Sequence, residues 1–163
     1  MTEPSETEDR GRAGVPVDVA LYIDSSALVK LYVPETESDK LDAFLRGRVG
    51  LMLSELTITE VLSAVARRKR EGGLLPELAN QIRDAVLADA GSGSFTRLHL
   101  DPAVHRVAES LLMANGALPL RTLDALHLAL ALSGAATHVL TFDRRMQDAA
   151  LESGLNVVDF TKD

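Results

Sequence analysis

The feature that most constrains this chain is a recurring unit: a short apolar run that closes on an acid or a cap, followed at once by helical spacing. Val19–Asp24 reads VALYID, then Ala27, Leu28, Leu31 and Tyr32 fall on one helical face until Pro34. His138–Phe142 followed by Asp143 repeats the plan ahead of Arg144–Glu152. Runs of this length, bounded by turn signals, are strands buried on both faces. Between them lie helical segments over Ser38–Arg46, Thr57–Arg70, Pro76–Ala90, Pro102–Ala114 and Leu123–Leu132. Leu51–Ser54, Phe95–Leu100 and Asn156–Val158 supply the remaining strands. Strands that alternate with helices require crossovers, and hence a parallel sheet covered on both faces. The expected fold class is α/β, in three layers.

The chain has 163 residues, enough for one domain. Residues 1–17 carry Pro, Gly and alternating charge and almost no bulky apolar side chain, so a disordered acidic tail is expected there, with the domain over 18–163. No apolar run approaches the roughly 20 residues of a membrane span, no signal-peptide core precedes Pro16, and cytoplasm is the expected compartment. There is no cysteine, which excludes disulfides and thiolate metal sites. The net charge of −7 opposes nucleic-acid binding unless positive charge is gathered locally or brought by a metal.

In open parallel sheets the ligand crevice lies beyond the carboxyl ends of the strands. Four acids fall there. Asp24 ends the first strand, Glu60 lies in the first turn of the helix after the second, Asp124 opens the apolar helix, and Asp143 follows VLTF. Each alone has an ordinary explanation: Thr57-x-x-Glu60 matches a capping box, and Asp124 and Asp143 suit helix N-termini. Asp101-Pro102 shows that ordinary case, an N-cap followed by proline at N1. A convergent set is different. Two carboxylates about 4 Å apart repel by roughly 4 kcal/mol at an effective dielectric of 20, whereas a cap returns about 1 kcal/mol. Converging acids therefore imply a cation, and oxygen-only donors select hard ions such as Mg²⁺ or Mn²⁺.

YIDSSALVKLYVPE at 22–35, ITEVLSAVAR at 58–67, LDALHLALA at 123–131 and VLTFDRRM at 139–146 resemble, in order, the acidic motifs of PIN domains, and most of all those of VapC-type toxins. The resemblance implies a PIN-like α/β/α fold around a five-stranded parallel sheet with the first strand central. It also implies an Mg²⁺- or Mn²⁺-dependent endoribonuclease that leaves 5′-phosphate and 3′-hydroxyl ends. Asp24, Glu60, Asp124 and Asp143 match the metal-binding, catalytic acids. Ser26 matches a small polar residue that orients the first aspartate, and Thr141 takes a similar supporting part. The family further implies a VapB-type antitoxin, an RNA substrate and a homodimer. Bound metal would answer the charge objection, with Arg144 and Arg145 as RNA contacts.

Arg67, Arg68, Lys69 and Arg70 end their helix, where cations complement the dipole. His127, in an Ala/Leu-rich helix, reads as a hydrogen-bonded core residue and stays outside the catalytic set. The competing assignment is a receiver-like, Mg²⁺-binding phosphoacceptor signalling domain. It would want an acidic pair after the first strand, where this chain has Ser25-Ser26, and a lysine after the fifth, where none occurs before Lys162.

Overall fold

The computed structural model describes residues 14–114 and 119–160. The elements run β1 (Leu21–Ile23), α1 (Ser25–Tyr32), α2 (Ser38–Leu45), β2 (Leu51–Ser54), α3 (Glu55–Arg70), α4 (Pro76–Gly91), β3 (Thr96–Leu98), α5 (Pro102–Met113), α6 (Thr122–Ser133), β4 (His138–Leu140), α7 (Arg144–Glu152) and β5 (Asn156–Val158). All strand pairs are parallel, in the order β3-β2-β1-β4-β5, so the first strand is central.

Successive strand residues face opposite sides, and this period of two divides the core. Leu21, Ile23, Leu53, Leu140 and Val158 pack with α1 to α4, while Tyr22 and Val139 pack with α5 to α7. The result is the expected three-layer α/β/α architecture. Helix α6 contributes Ala125 and the continuous buried run His127–Ala131 to the second layer. Gly50 turns the chain into β2 at φ 75°, where a Cβ would stand 2.7 Å from the Val19 carbonyl oxygen. Only glycine fits that approach.

Among the boundaries that differ from the sequence reading, two do so because a hydroxyl has captured a backbone amide. Helix α3 begins at Glu55 rather than Thr57, because Ser54 Oγ accepts the Thr57 N–H at 3.0 Å and is the N-cap. Glu60 thus lies in the second turn, not the first, and makes no capping box with Thr57. Strand β4 ends at Leu140 rather than Phe142, because the Phe142 N–H turns to Ser26 Oγ at 2.8 Å.

Of the expected tail, 1–13 lie outside the described residues. The rest of it is held in place: Arg48 donates to the carbonyls of Pro16 at 2.7 Å and Val15 at 3.1 Å, and the Val49 N–H to Val17 at 3.1 Å. Among the described residues no helix is long and apolar enough to cross a membrane.

Candidate active site

The N-termini of α1, α6 and α7 and the second turn of α3 meet at the carboxyl edge of the sheet around a crevice of about 410 Å³. Asp24, Glu60, Asp124 and Asp143 all line it, with Ser25, Ser26, Arg121 and His127. Asp101 does not; it caps α5 by accepting the N–H groups of Ala103 at 2.8 Å and Val104 at 2.9 Å. A larger groove of about 680 Å³ opens at the other edge of the sheet, beside Gly50 and Leu51, and holds none of the four acids. All four acids belong to the smaller crevice.

Capping and convergence turn out to be the same fact. Asp24 caps α1 by accepting the Ala27 N–H at 3.1 Å, and Asp143 caps α7 by accepting that of Arg145 at 2.8 Å. Asp124 reaches back to the Arg121 N–H at 3.4 Å, one half of a capping box that an arginine, having no acceptor, cannot complete. Three helix N-termini therefore aim their partial positive charge at the acids, which offsets part of their repulsion.

Asp24 is the deepest. It is 4 % exposed, and its Oδ1 accepts Ser26 Oγ at 2.8 Å while its Oδ2 accepts Thr141 Oγ1 at 2.6 Å. Burial pushes its carboxyl above the ordinary aspartate range, against the pull of Thr141, His127, Ser26 and the Ala27 amide. Thr141 also accepts the Asp143 N–H at 3.0 Å, so one hydroxyl ties two acids together. Glu60 is half-buried. Burial raises its carboxyl, but hydrogen bonds from His127 and Ser25 outweigh it and hold the group below the usual glutamate range.

The crevice offers a cation carboxylate oxygens and no thiolate, donors suited to Mg²⁺ or Mn²⁺. Among the described residues no three His, Asp or Glu side chains stand close enough to hold an ion as they lie. Each ionised carboxylate nonetheless has about four lone-pair positions, more than its protein donors use. The set suits such an ion in its donor chemistry, not in the spacing of its side chains as they lie.

Arg144 and Arg145 do not line the crevice; Arg121 does, the one arginine or lysine in that lining among the described residues. Arg121 was not among the site residues read from the sequence. A signal for it existed in the sequence, since a cation beside a helix N-terminus opposes the dipole and is unfavourable unless it serves something else. The 67–70 run lies away from the site, with Arg68 and Lys30 both paired to Glu35. His127 is a hydrogen-bonded core residue, as its surroundings implied, but its Nε2 lies 2.6 Å from Glu60 Oε2 and connects that core to the site.

Residues 21–152 match the family model of the PIN domain. Ribonuclease VapC46 of Mycobacterium tuberculosis is 40 % identical over 144 residues, spanning 85 % of this chain and 96 % of that one. The chain is a PIN-domain protein of the VapC family. Among solved structures this PIN domain is similar to VapC20 of Mycobacterium tuberculosis, described as a Sarcin-Ricin loop cleaving toxin (TM-score 0.63, 16 % identity, 79 % of this chain and 94 % of that one). It is also similar to a chain of a toxin-antitoxin complex from Klebsiella pneumoniae (TM-score 0.58, 18 % identity, 85 % and 96 %). At these identities the two structures speak for the fold. The receiver-like assignment falls with the family match and with Ser25-Ser26 standing where an acidic pair would be needed.

Proposed function

We propose that this PIN domain is a metal-dependent endoribonuclease, a VapC-type toxin restrained by a VapB-type antitoxin and acting on RNA in the cytoplasm. The observation that carries the reading is four carboxylates, spread from residue 24 to residue 143, lining one crevice of a VapC-family fold. The likeness to ribonuclease VapC46 supports the substrate class, and the likeness to a toxin-antitoxin complex supports the partner. The family's homodimer is part of the proposal.

Asp24, Glu60, Asp124 and Asp143 would hold Mg²⁺ or Mn²⁺, which when bound lowers the pKa of water and stabilises charge on a transferring phosphate. The protein's own part is positioning. Ser26, Thr141 and the Ala27 amide fix both oxygens of Asp24 at the floor of the crevice. Asp143 stands at the exposed rim, and Arg121 supplies the charge that draws a phosphodiester toward an otherwise acidic opening.

The test is cleavage of a structured RNA by purified, antitoxin-free protein. Cleavage is expected with Mg²⁺ or Mn²⁺ and not with EDTA. Asp24→Asn should abolish it while keeping the side chain's shape; wild-type cleavage by that variant would remove Asp24 from the active set.

A further inference from the structure

A line of buried polar groups runs from Glu60 into the core. His127 on α6 has Nε2 2.6 Å from Glu60 Oε2 and Nδ1 2.7 Å from the Tyr22 hydroxyl. Tyr22, the middle residue of the central strand, is fully buried, and its hydroxyl lies 2.9 Å from Ser54 Oγ and 3.3 Å from Thr57 Oγ1. Ser54 and Thr57 form the cap of α3, the helix that carries Glu60. The line therefore leaves α3 at its cap, crosses β1 and α6, and returns to α3 at Glu60.

Donor accounting sets the proton on the histidine. An ionised carboxylate only accepts, so the ring nitrogen facing Glu60 must be Nε2–H, and the tautomer with a bare Nε2 is excluded. The hydroxyls accommodate this in either direction. Tyr22 can donate to Nδ1 and accept from Ser54. With a second ring proton, on Nδ1, it instead accepts from Nδ1 and donates to Ser54, whose proton passes to Thr57 at 3.0 Å; in both cases Thr57 ends the line by donating to the Ile23 carbonyl at 3.3 Å. No polar atom in the line is stranded.

Three hydroxyls and an imidazole in a core cost more than apolar residues of the same volume unless each is satisfied, and even then they return little. Packing alone does not explain them. What they share is one end point on an acid of the crevice. We propose that His127 is a positioning residue for Glu60: held from behind by Tyr22 and Ser54, it pins Oε2 and leaves the rest of the carboxylate to the crevice. The role rests on reading Glu60 as a site acid.

The experiment uses the full chain as wild type, His127→Phe, His127→Gln and Tyr22→Phe. It reads the ¹⁵N signals of the His127 ring, the ¹³C signal of the Glu60 carboxyl, Mn²⁺ affinity, and kcat and KM for RNA cleavage. In the wild type Nε2 should be protonated. His127→Phe should shift the Glu60 carboxyl signal and weaken Mn²⁺ binding roughly 10–100-fold, as losses of ligand-orienting partners do, with kcat falling and KM for RNA little changed. His127→Gln, which restores an N–H at the same reach, should recover most of both, and Tyr22→Phe should fall between. A bare Nε2 in the wild type, or a folded His127→Phe with an unmoved Glu60 signal and wild-type Mn²⁺ affinity, overturns the proposal. Should His127→Phe fail to melt cooperatively, Tyr22→Phe decides by the same signals, since it removes a single oxygen. If the wild type neither binds Mn²⁺ nor cleaves RNA, the metal reading fails, and the ring and carboxyl signals still judge the positioning role by themselves.

Discussion

Replacing Thr141 with valine keeps the shape of a buried side chain and removes one hydroxyl. That oxygen donates to Asp24 Oδ2 at 2.6 Å and accepts the Asp143 N–H at 3.0 Å. Losing a hydrogen bond to a charged group costs about 1.5–3 kcal/mol. The Asp143 amide sits at the exposed rim, where water can take its proton, so it adds little. The added methyl returns at most about 0.8 kcal/mol. The expected net loss is about 2 kcal/mol, which in a chain of this size lowers Tm by roughly 4–8 °C. The assay is urea and thermal unfolding in EDTA at pH 7, run for wild type, Thr141→Val, Asp24→Asn and the double variant. With the charge gone in Asp24→Asn, the valine should cost about 1 kcal/mol less than in wild type, because the bond to an ionised group is roughly twice as strong as a neutral one. A loss below about 0.5 kcal/mol, or the same loss in both backgrounds, would refute the argument that Thr141 serves Asp24.

Three further outcomes are expected. Because the Asp24 carboxyl is raised by burial, the folded protein keeps a proton that the unfolded chain releases near pH 4, and stability falls as pH rises through the folded pKa. Metal-free Asp24→Asn should therefore be more stable than wild type at pH 7, with the gap closing toward pH 4; a lower melting point at pH 7 would contradict this. Arg121→Ala should weaken RNA binding at low salt and reduce the slope of log K against log[salt] by about one, whereas Arg144→Ala should leave that slope unchanged. Mg²⁺ should raise the Tm of wild type and of Asp101→Ala, the latter starting lower by about 1 kcal/mol for its lost cap, while Asp124→Ala should respond much less. Equal responses in Asp124→Ala and wild type would leave Asp124 as helix chemistry only.

The strand–helix alternation was legible because period two and period 3.6 leave different marks, and α7 and β5 begin and end where their patterns do. The start of α3 was not, since Ser54 and Thr57 are both competent caps and only the path of β2 chooses between them. Asp24, Glu60, Asp124 and Asp143 could be listed from their places at strand and helix ends. That they share a crevice is a property of strand order, which local sequence does not encode. The link from His127 to Glu60 spans 67 positions, and Arg121 needed the entry to α6 to be placed before its side chain meant anything. Capping and a place in the crevice do not compete at Asp24 and Asp143, because the N-termini being capped are themselves its walls.

The alternation along β1 carries a consequence for how the protein becomes competent. Leu21 and Ile23 belong to one half of the core and Tyr22 to the other, on a strand only three residues long. A slip of a single position would preserve a plausible ladder with β2 and β4 yet turn every side chain to the opposite layer. Tyr22 would then leave the compartment that holds His127, and Asp24 would lose its place opposite Thr141. Such a misthreaded molecule could pass for folded by its secondary structure while being chemically inert. Refolding followed by circular dichroism and by RNA cleavage should accordingly separate in time, with activity returning only when the innermost strand has found its seat.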